Sequence, residues 1–503
     1  MAGEFSVDDD PAAATLHRVT EVLPAGPARI EAARRVWLDT PDWNLFRAGL
    51  LLEQRTAGSE RRLLLCGLDG TVLCQAPAPR RTITNATLPE GPLRDKILPL
   101  LDIRALLPRL EAEGSTAQVA VLDEVEKTVA RVTVDGPFLA VGASAPVSQV
   151  RVETLRGYDK EAKQVGAKLA ALAGLRPARG SVFAALAATA GVQPGRHRAK
   201  PEPTFTATTP ALTAFAQTLG QLEEITRDNL AGTLAELDTE FLHDLRVAVR
   251  RGRSVLKMAG GVYDEATLTR YGAELKWIGD ATSNARDLDV NLLDFGAGLD
   301  ATDVAAIGPY RALLERRCRR AHSTLNRVLR SERFTTLLTN WQADLGHPTA
   351  GGELATTPIS TVAHNLLDRA WTRVGKRGRA ITVDSPADDL HDLRKRCKEL
   401  RYLLEFFAGL YDKAVYKAFL DELKRLQDNL GAFQDAEAQW FLVRECAEEL
   451  RATAPIDTLL AMGRLAHDLR LRQEHEHDVF AATWARFYDK ANRARFAAMV
   501  AGT

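Results

Sequence analysis

The chain has 503 residues, too many for one ordinary core, so two or three cores are expected. Apolar residues make up 46% of it and charged residues 26%, an ordinary globular composition, and 66 basic side chains balance 66 acidic ones. Zero net charge excludes a polycation that coats nucleic acid through bulk charge, so any anion site has to come from local clustering. The opening residues, MAGEFSVDDDPAAATLH, are acidic and lack an apolar centre, which predicts no signal peptide. No run of about 18 apolar residues predicts a membrane span. Cys66, Cys74, Cys318, Cys397 and Cys446 are scattered without a C-x-x-C, as expected of reduced thiols in a cytoplasmic protein.

Short apolar runs follow, split by turn signals such as Leu68-Asp69-Gly70-Thr71: ARRVWLD, GLLLEQR, RRLLLCGL and VARVTVD. They predict strands of a β-rich α+β domain over residues 1–190. Its end, Lys160 to Leu175, has helical periodicity. Gly191 to Pro210 is rich in Pro, Thr and Gly and has no period, which predicts a linker at 191–208. From 209 to 503 the texture is that of long helices, poor in aromatics and rich in Ala, Leu and Arg.

An internal repeat organises this second region. LHDLRVAVRRGRSVL (Leu242 to Leu256) matches LHDLRKRCKELRYLL (Leu390 to Leu404) at an offset of 148 residues. The same offset pairs Tyr263-Asp264 with Tyr411-Asp412, Lys276 with Lys424, Asp280 with Asp428 and Asp287 with Asp435. The expected fold is a mainly α bundle of two pseudo-symmetric halves, about 209–345 and 358–503.

On a helix, His243, Arg246, Arg250, Arg253 and Lys257 share one face, a row roughly 21 Å long at 1.5 Å per residue. The second copy carries His391, Arg394, Lys398 and Arg401, then Glu405 in place of the lysine. Leu242, Leu245, Val249 and Leu256, and in the second copy Leu390, Leu393, Cys397, Leu400 and Leu404, form apolar stripes one position away. A one-residue step turns about 100°, so each basic row borders a core face and lines a groove. Like charges at these spacings repel unless an anion or neighbouring acids fill the groove. Asp244, Asp392, Asp280, Asp287, Asp428 and Asp435 are the candidate acids for an internal salt-bridge network. Both copies keep the basic pattern while residues between them vary, which favours a ligand. Guanidinium forks, ammonium groups and imidazole N–H donors suit phosphate oxygens. A linear row on each of two helices suits a long, regularly charged chain such as inorganic polyphosphate. The first row has no interleaved aromatics, unlike many single-strand nucleic-acid binders.

The strings FLHDLRVAVRRGRSVLKMAG and LHDLRKRCKELRYLLEFFAGLYDK, with LKRLQDNLGAFQDAEA, resemble the CHAD family (conserved-histidine α-helical domain) over about Thr209 to Thr503. The resemblance implies a two-half helical bundle that binds inorganic polyphosphate through His243, Arg246, Arg250, Arg251, Arg253, His391, Arg394, Lys398 and Arg401. Lys276 and Lys424 are on the next helix of each half. RRVWLDTPDWNLFRAGLLLEQR, LDEVEKTVARVTVD and RVETLRGYDKEAKQV resemble the CYTH (triphosphate-tunnel) family over about Thr15 to Leu175. The departures imply a degenerate barrel. LHRVTEVL, near Leu16 to Leu23, where the resemblance places the opening strand, lacks the Glu-x-Glu-x-Lys signature, Cys66 takes a lysine's place, and of a paired-acid pattern RVETL keeps Glu153 alone. Metal-dependent hydrolysis needs convergent carboxylates, so no catalysis is expected, although Arg47, Arg55 and Arg131 remain candidates for weak anion contact.

Three other readings are weaker. A metal phosphohydrolase would use the His-Asp pairs, but we recognise no further ligand recurring in both copies. In EHEHD (Glu474 to Asp478), His475 and His477 diverge on a helix, as a solvated face does. RNA binding through its phosphate backbone is the stronger rival, and a protein partner of the first domain is the third. The expectation is non-catalytic polyphosphate binding without cofactor, metal or membrane, in the cytoplasm or on polyphosphate granules. Reversing Arg34 and Arg35, far from the rows, is expected to leave binding unchanged.

Overall fold

The computed structural model describes residues 3–7, 12–80, 83–196, 200–382 and 384–501. Parts of the acidic N-terminal stretch (residues 1, 2 and 8–11) and of the expected linker (197–199) therefore lie outside the described residues. The chain divides into two compact units, Met1–Arg198 and Ala199–Thr503.

Unit 1 runs β1 (Glu4–Val7), α1 (Ala12–Val22), β2 (Arg29–Asp39), α2 (Asn44–Arg47), β3 (Leu50–Ala57), β4 (Glu60–Gly67), β5 (Val72–Pro77) and α3 (Pro92–Leu101). It continues through β6 (Leu107–Leu122), β7 (Thr128–Ala140), β8 (Val147–Thr154), α4 (Asp159–Ala170), β9 (Leu175–Pro177) and α5 (Val182–Thr189). The strands form one antiparallel sheet in the order β5-β4-β3-β2-β6-β7-β8-β1-β9. The stretch expected to be the opening strand is instead helix α1. Leu16, Val19 and Leu23 are its buried residues, and that spacing of three and four is helical. The true first strand is EFSV, whose Phe5 and Val7 alternate into the core.

Period-two alternation sorts the strands' side chains. On one face Ala33 and Trp37 of β2, Leu51 of β3, and Leu64 and Cys66 of β4 pack with Phe183 and Leu186 of α5. On the other, Val36, Leu38, Leu52, Leu63 and Leu65 pack under α3. The long strands β6 and β7 shift register at Glu113/Thr116 and at Asp135/Phe138, so their far ends join a third cluster beneath α1 and α4. Gly114 lies inside this bend. A Cβ there would stand 2.3 Å from the Pro137 carbonyl oxygen, so only glycine fits.

Unit 2 is helical: α6 (Ala211–Leu234), α7 (Thr239–Met258), α8 (Glu265–Leu293), α9 (Ala301–Ala306), α10 (Gly308–Leu329) and α11 (Glu332–Trp341), which ends in a π-helical turn. Its second half holds α12 (Ile359–Ala380), α13 (Ala387–Phe406), α14 (Lys413–Leu450), α15 (Ile456–Phe487) and α16 (Lys490–Ala501). The repeated Tyr-Asp pairs are structural. Asp264 and Asp412 cap the first turns of α8 and α14, while Tyr263 and Tyr411 are buried. One continuous apolar core runs through both halves and takes in every residue of the two predicted stripes. The halves meet through equivalent positions. Pro210 forms a β-bridge with Pro358, its partner at the 148-residue offset, and α7 packs against α13. Self-pairing of this kind marks a pseudo-twofold axis.

Candidate functional site

The basic rows of α7 and α13 meet at that axis. Arg250 and Lys398 are equivalent residues at the repeat offset, and each contributes to one electrostatic cluster with Arg246 and Arg394. Burial, and then the charges of Arg394 and Arg250, push the Lys398 ammonium down to about 8 against the pull of Asp435. Arg246 donates from Nη1 to the Gly279 carbonyl (2.7 Å) and to Thr282 Oγ1 (3.2 Å), which anchors it to α8. Arg394 pairs with Asp435 at 3.1 Å. Asp287, the equivalent of Asp435, is the acid that acts most strongly on Arg246. The guanidinium of Arg250 lies 5.7 Å from the ring centre of Tyr402, so an aromatic supplied by the second helix does border the first row.

The histidines sit at one end of each row. Burial and the nearby Arg286 lower the proton affinity of His243, leaving it neutral near pH 7. His391 Nδ1 meets the side-chain oxygen of Gln434. Arg286 and Gln434 are themselves equivalent at the repeat offset, so each half uses the same helix position to set its histidine. The repeated basic motif gives no signal for either residue.

A second grouping lines a cavity of about 270 Å³ between Arg251, Arg401, Lys424, Tyr402, Tyr416 and Lys200. Glu405 lies among them, accepting from Arg251 Nη2 at 3.2 Å and Arg401 Nε at 2.7 Å, while Arg401 also reaches Gln427 Oε1 at 3.3 Å. The salt-bridge expectation thus applies to part of the set: Arg251, Arg394, Arg401 and Lys276 have acid partners, the last in an exposed pair with Asp280. Among the described residues Arg250, Arg253, Lys257 and Lys398 have no ion-pair partner. Lys257 stands exposed in the last turn of α7, apart from the cluster.

The metal reading of the His-Asp pair needs one correction. Glu240 lies within 4.8 Å of His243 and Asp244, and an acid, Asp388, stands at its repeat position in sequence, but among the described residues the second copy forms no such group. Glu240 is held by Arg286 at 3.2 Å, and the cations beside His243 oppose a metal ion there. In EHEHD, His475 is exposed while His477 packs near Phe433 and Glu476 accepts from Asn429 at 2.6 Å.

In unit 1 the face carrying Trp37 and Cys66 also carries Arg35, Glu53, Arg55 and Asp135, with Glu4 and Arg151 alongside. Arg35 clasps Glu53 with two bonds of 2.7 and 2.8 Å and reaches Asp135 at 3.3 Å, and Arg55 adds 2.9 Å to Glu53. Arg35 is only 4% exposed, so it cannot serve as the surface control expected from sequence; Arg34, paired with Glu111 on the outside, can. Of the other anion candidates, Arg55 is occupied by Glu53, Arg47 donates to the Gly195 carbonyl (3.1 Å), and Arg131 is exposed opposite Glu153. Glu153 faces outward, whereas Glu4, on the strand that the sequence pattern misplaces, lines the interior. Burial pushes the Cys66 thiol up to about 11.

Residues 216–444 match the family model of the CHAD domain. This segment is a CHAD domain. Among solved structures, the CHAD domain from the plant Ricinus communis is 26% identical, with 57% of this chain and 96% of that one covered and a TM-score of 0.48. PptA from Streptomyces chartreusis is 20% identical over 55% of this chain and 99% of that one, with a TM-score of 0.44. The PH1819 protein from Pyrococcus horikoshii OT3 is 15% identical over 36% of this chain and 94% of that one, with a TM-score of 0.22. No curated protein matches the chain. The axial cluster from Arg246 to Asp435 lies wholly inside the CHAD domain, and no helix among the described residues is long and apolar enough to cross a membrane.

Proposed function

We propose that the CHAD domain binds inorganic polyphosphate, without turnover, across the pseudo-twofold axis between α7 and α13. The observation that carries this reading is the juxtaposition of Arg250 and Lys398 with Arg246 and Arg394, cations from both halves that, together with burial, depress the Lys398 ammonium. An anion laid across the axis relieves that repulsion through charge-assisted hydrogen bonds. A linear polyphosphate chain reads the same from either end, which suits a site whose two sides are equivalent. RNA has a direction and displays bases, and the Tyr402 face is already taken by Arg250. The family link to polyphosphate supports the same reading, and residence on polyphosphate granules would follow from it.

Direct competition between long-chain polyphosphate and RNA at physiological salt, repeated across a salt series, tests the proposal. Polyphosphate should win, and its affinity should fall steeply with salt, by analogy with the log–log slope of about −0.9 per neutralised phosphate on duplex DNA. A flat salt response, or RNA displacing polyphosphate, overturns it.

The absence of turnover belongs to the same proposal. In unit 1, whose triphosphate-tunnel resemblance raises the question, Glu53 and Asp135 are engaged by arginines rather than free to converge on a cation. With magnesium or manganese the protein should release no phosphate from ATP, tripolyphosphate or polyphosphate above the buffer control. Robust metal-dependent release would sink this half of the reading.

A further inference from the structure

Away from the basic axis, α8 and α10 bring together an aspartate, a cysteine and a histidine. Cys318 and His322 are one helical turn apart on α10, so they share a face, and that face meets Asp289 of α8. His322 Nε2 is 2.8 Å from Asp289 Oδ1, and Cys318 Sγ is 3.3 Å from the same oxygen. One donor atom from each residue lies within 4.8 Å of the other two. Asp289 is 5% exposed, yet its second carboxylate oxygen, Oδ2, is buried without a hydrogen-bond partner among the described residues. A buried carboxylate oxygen left unpaired costs free energy, and a cation held by both oxygens of the Asp289 carboxylate would satisfy it.

We propose that Asp289, Cys318 and His322 form a binding site for one zinc ion, with a fourth position left to water. The donor set is one carboxylate, one sulfur and one nitrogen, the mixture that suits borderline-soft zinc rather than magnesium or calcium. Edges of 2.8 and 3.3 Å between donors need only small widening to become the edges of a tetrahedron around an ion 2.0–2.3 Å from each. With the ion bound, Zn²⁺, carboxylate, thiolate and neutral imidazole sum to zero net charge, whereas arginine crowds the Glu240–His243–Asp244 group.

The site belongs to one half alone. The positions 148 residues on hold Glu437, Ala466 and Arg470, and neither alanine nor arginine ligates a metal. The expected stoichiometry is therefore one zinc per chain.

The test uses the full chain, free of polyphosphate, which would itself chelate metal. Equilibrium dialysis against zinc should give one tightly held equivalent, and cobalt substitution should produce the near-ultraviolet thiolate-to-metal charge-transfer band. Cys318→Ser should abolish the band and weaken zinc binding at least tenfold, whereas Cys74→Ser, in unit 1, should change neither. As a readout that needs no variant, zinc should protect Cys318 from alkylation in the native protein, followed peptide by peptide. A cobalt spectrum without the charge-transfer band, unchanged alkylation of Cys318 with zinc present, or two equivalents of zinc per chain would each overturn the proposal.

Discussion

In unit 1, Arg35 and Arg55 sit between Glu53 and Asp135, and in unit 2, Arg250 and Lys398 face Arg246 and Arg394. Arg35 is buried, whereas Arg246, Arg394 and Lys398 are half-buried and Arg250 is exposed. In unit 1 burial alone would raise the Glu53 carboxyl, but the guanidiniums of Arg35 and Arg55 outweigh it and hold that carboxyl far below the usual range. Asp135 is lowered by the same two arginines and Arg151 against its own burial. In unit 2 burial, and then the cations Arg394 and Arg250, push Lys398 toward losing its proton against the pull of Asp435. The difference teaches what separates a structural charge cluster from a binding one. A cluster whose charges cancel holds itself together, and one whose charges add is completed by a ligand of opposite sign.

The largest effect should come from inverting the net-positive cluster. Arg246→Glu with Arg250→Glu, or Arg394→Glu with Lys398→Glu, should each weaken polyphosphate binding by roughly a hundredfold or more, since two charge-assisted bonds are lost and repulsion is added. Arg34→Glu, outside on unit 1, should leave affinity unchanged. Titration calorimetry distinguishes the outcomes, with circular dichroism to verify folding. Near-normal affinity at half the stoichiometry in each double variant would mean two separate half-sites and would break the picture of a shared axis.

Next in size is the cancelled cluster. Arg35→Met leaves Glu53 and Asp135 buried without their main partner and should destabilise unit 1 by about 3–5 kcal/mol. Hydrogen exchange resolved to β2, β3 and β7 measures this loss separately from unit 2. The native contribution of Glu53 has a defined sign. Its folded pKa lies below the ordinary 4.5, so the stabilisation is full above that pH and fades as pH falls beneath it. Protection in β3 should weaken with acid in the native chain and much less so in the variant. Equal protection in both proteins at neutral pH would show that the network contributes little.

The smallest effect sharpens the unit 2 side. Free Lys398 loses its proton near pH 8, and a bound polyanion favours the charged form, so binding takes up a proton above that pH. Affinity should fall by up to about tenfold as pH rises from 8 to 9, the most that one titrating group contributes over one unit. Lys398→Arg, which stays charged, should flatten the profile. A profile identical in the two proteins would assign the pH response elsewhere, with Arg246, Arg250, Arg394 and Asp435 as the neighbouring charges.

Much of unit 2 is legible in its residues alone. The 3–4 spacing of Leu242, Leu245, Val249 and Leu256 places them in the core, and the one-residue shift places Arg246 and Arg250 beside it, because helical geometry is local and periodic. Unit 1 is harder to read. LHRVTEVL is rich in β-branched residues, and an apolar run that short satisfies either the helical or the strand period, so its pattern does not decide between them. Arg35 looks in sequence like an exposed twin of Arg34, since adjacent strand residues face opposite ways and nothing local says which face is closed.

The sequence by itself determined the repeat, the helices that carry it and the chemical kind of ligand they suit, since these depend on spacing and side-chain type. Which cations pair with acids and which meet other cations was decided only by tertiary structure. Glu405 reaches Arg251 from 154 residues away, Asp435 reaches Arg394 across 41, and Asp289 meets His322 across 33. Electrostatic partners are chosen by distance in space, and the packing of α7 on α13 and of α8 on α10 sets those distances with no counterpart in local sequence.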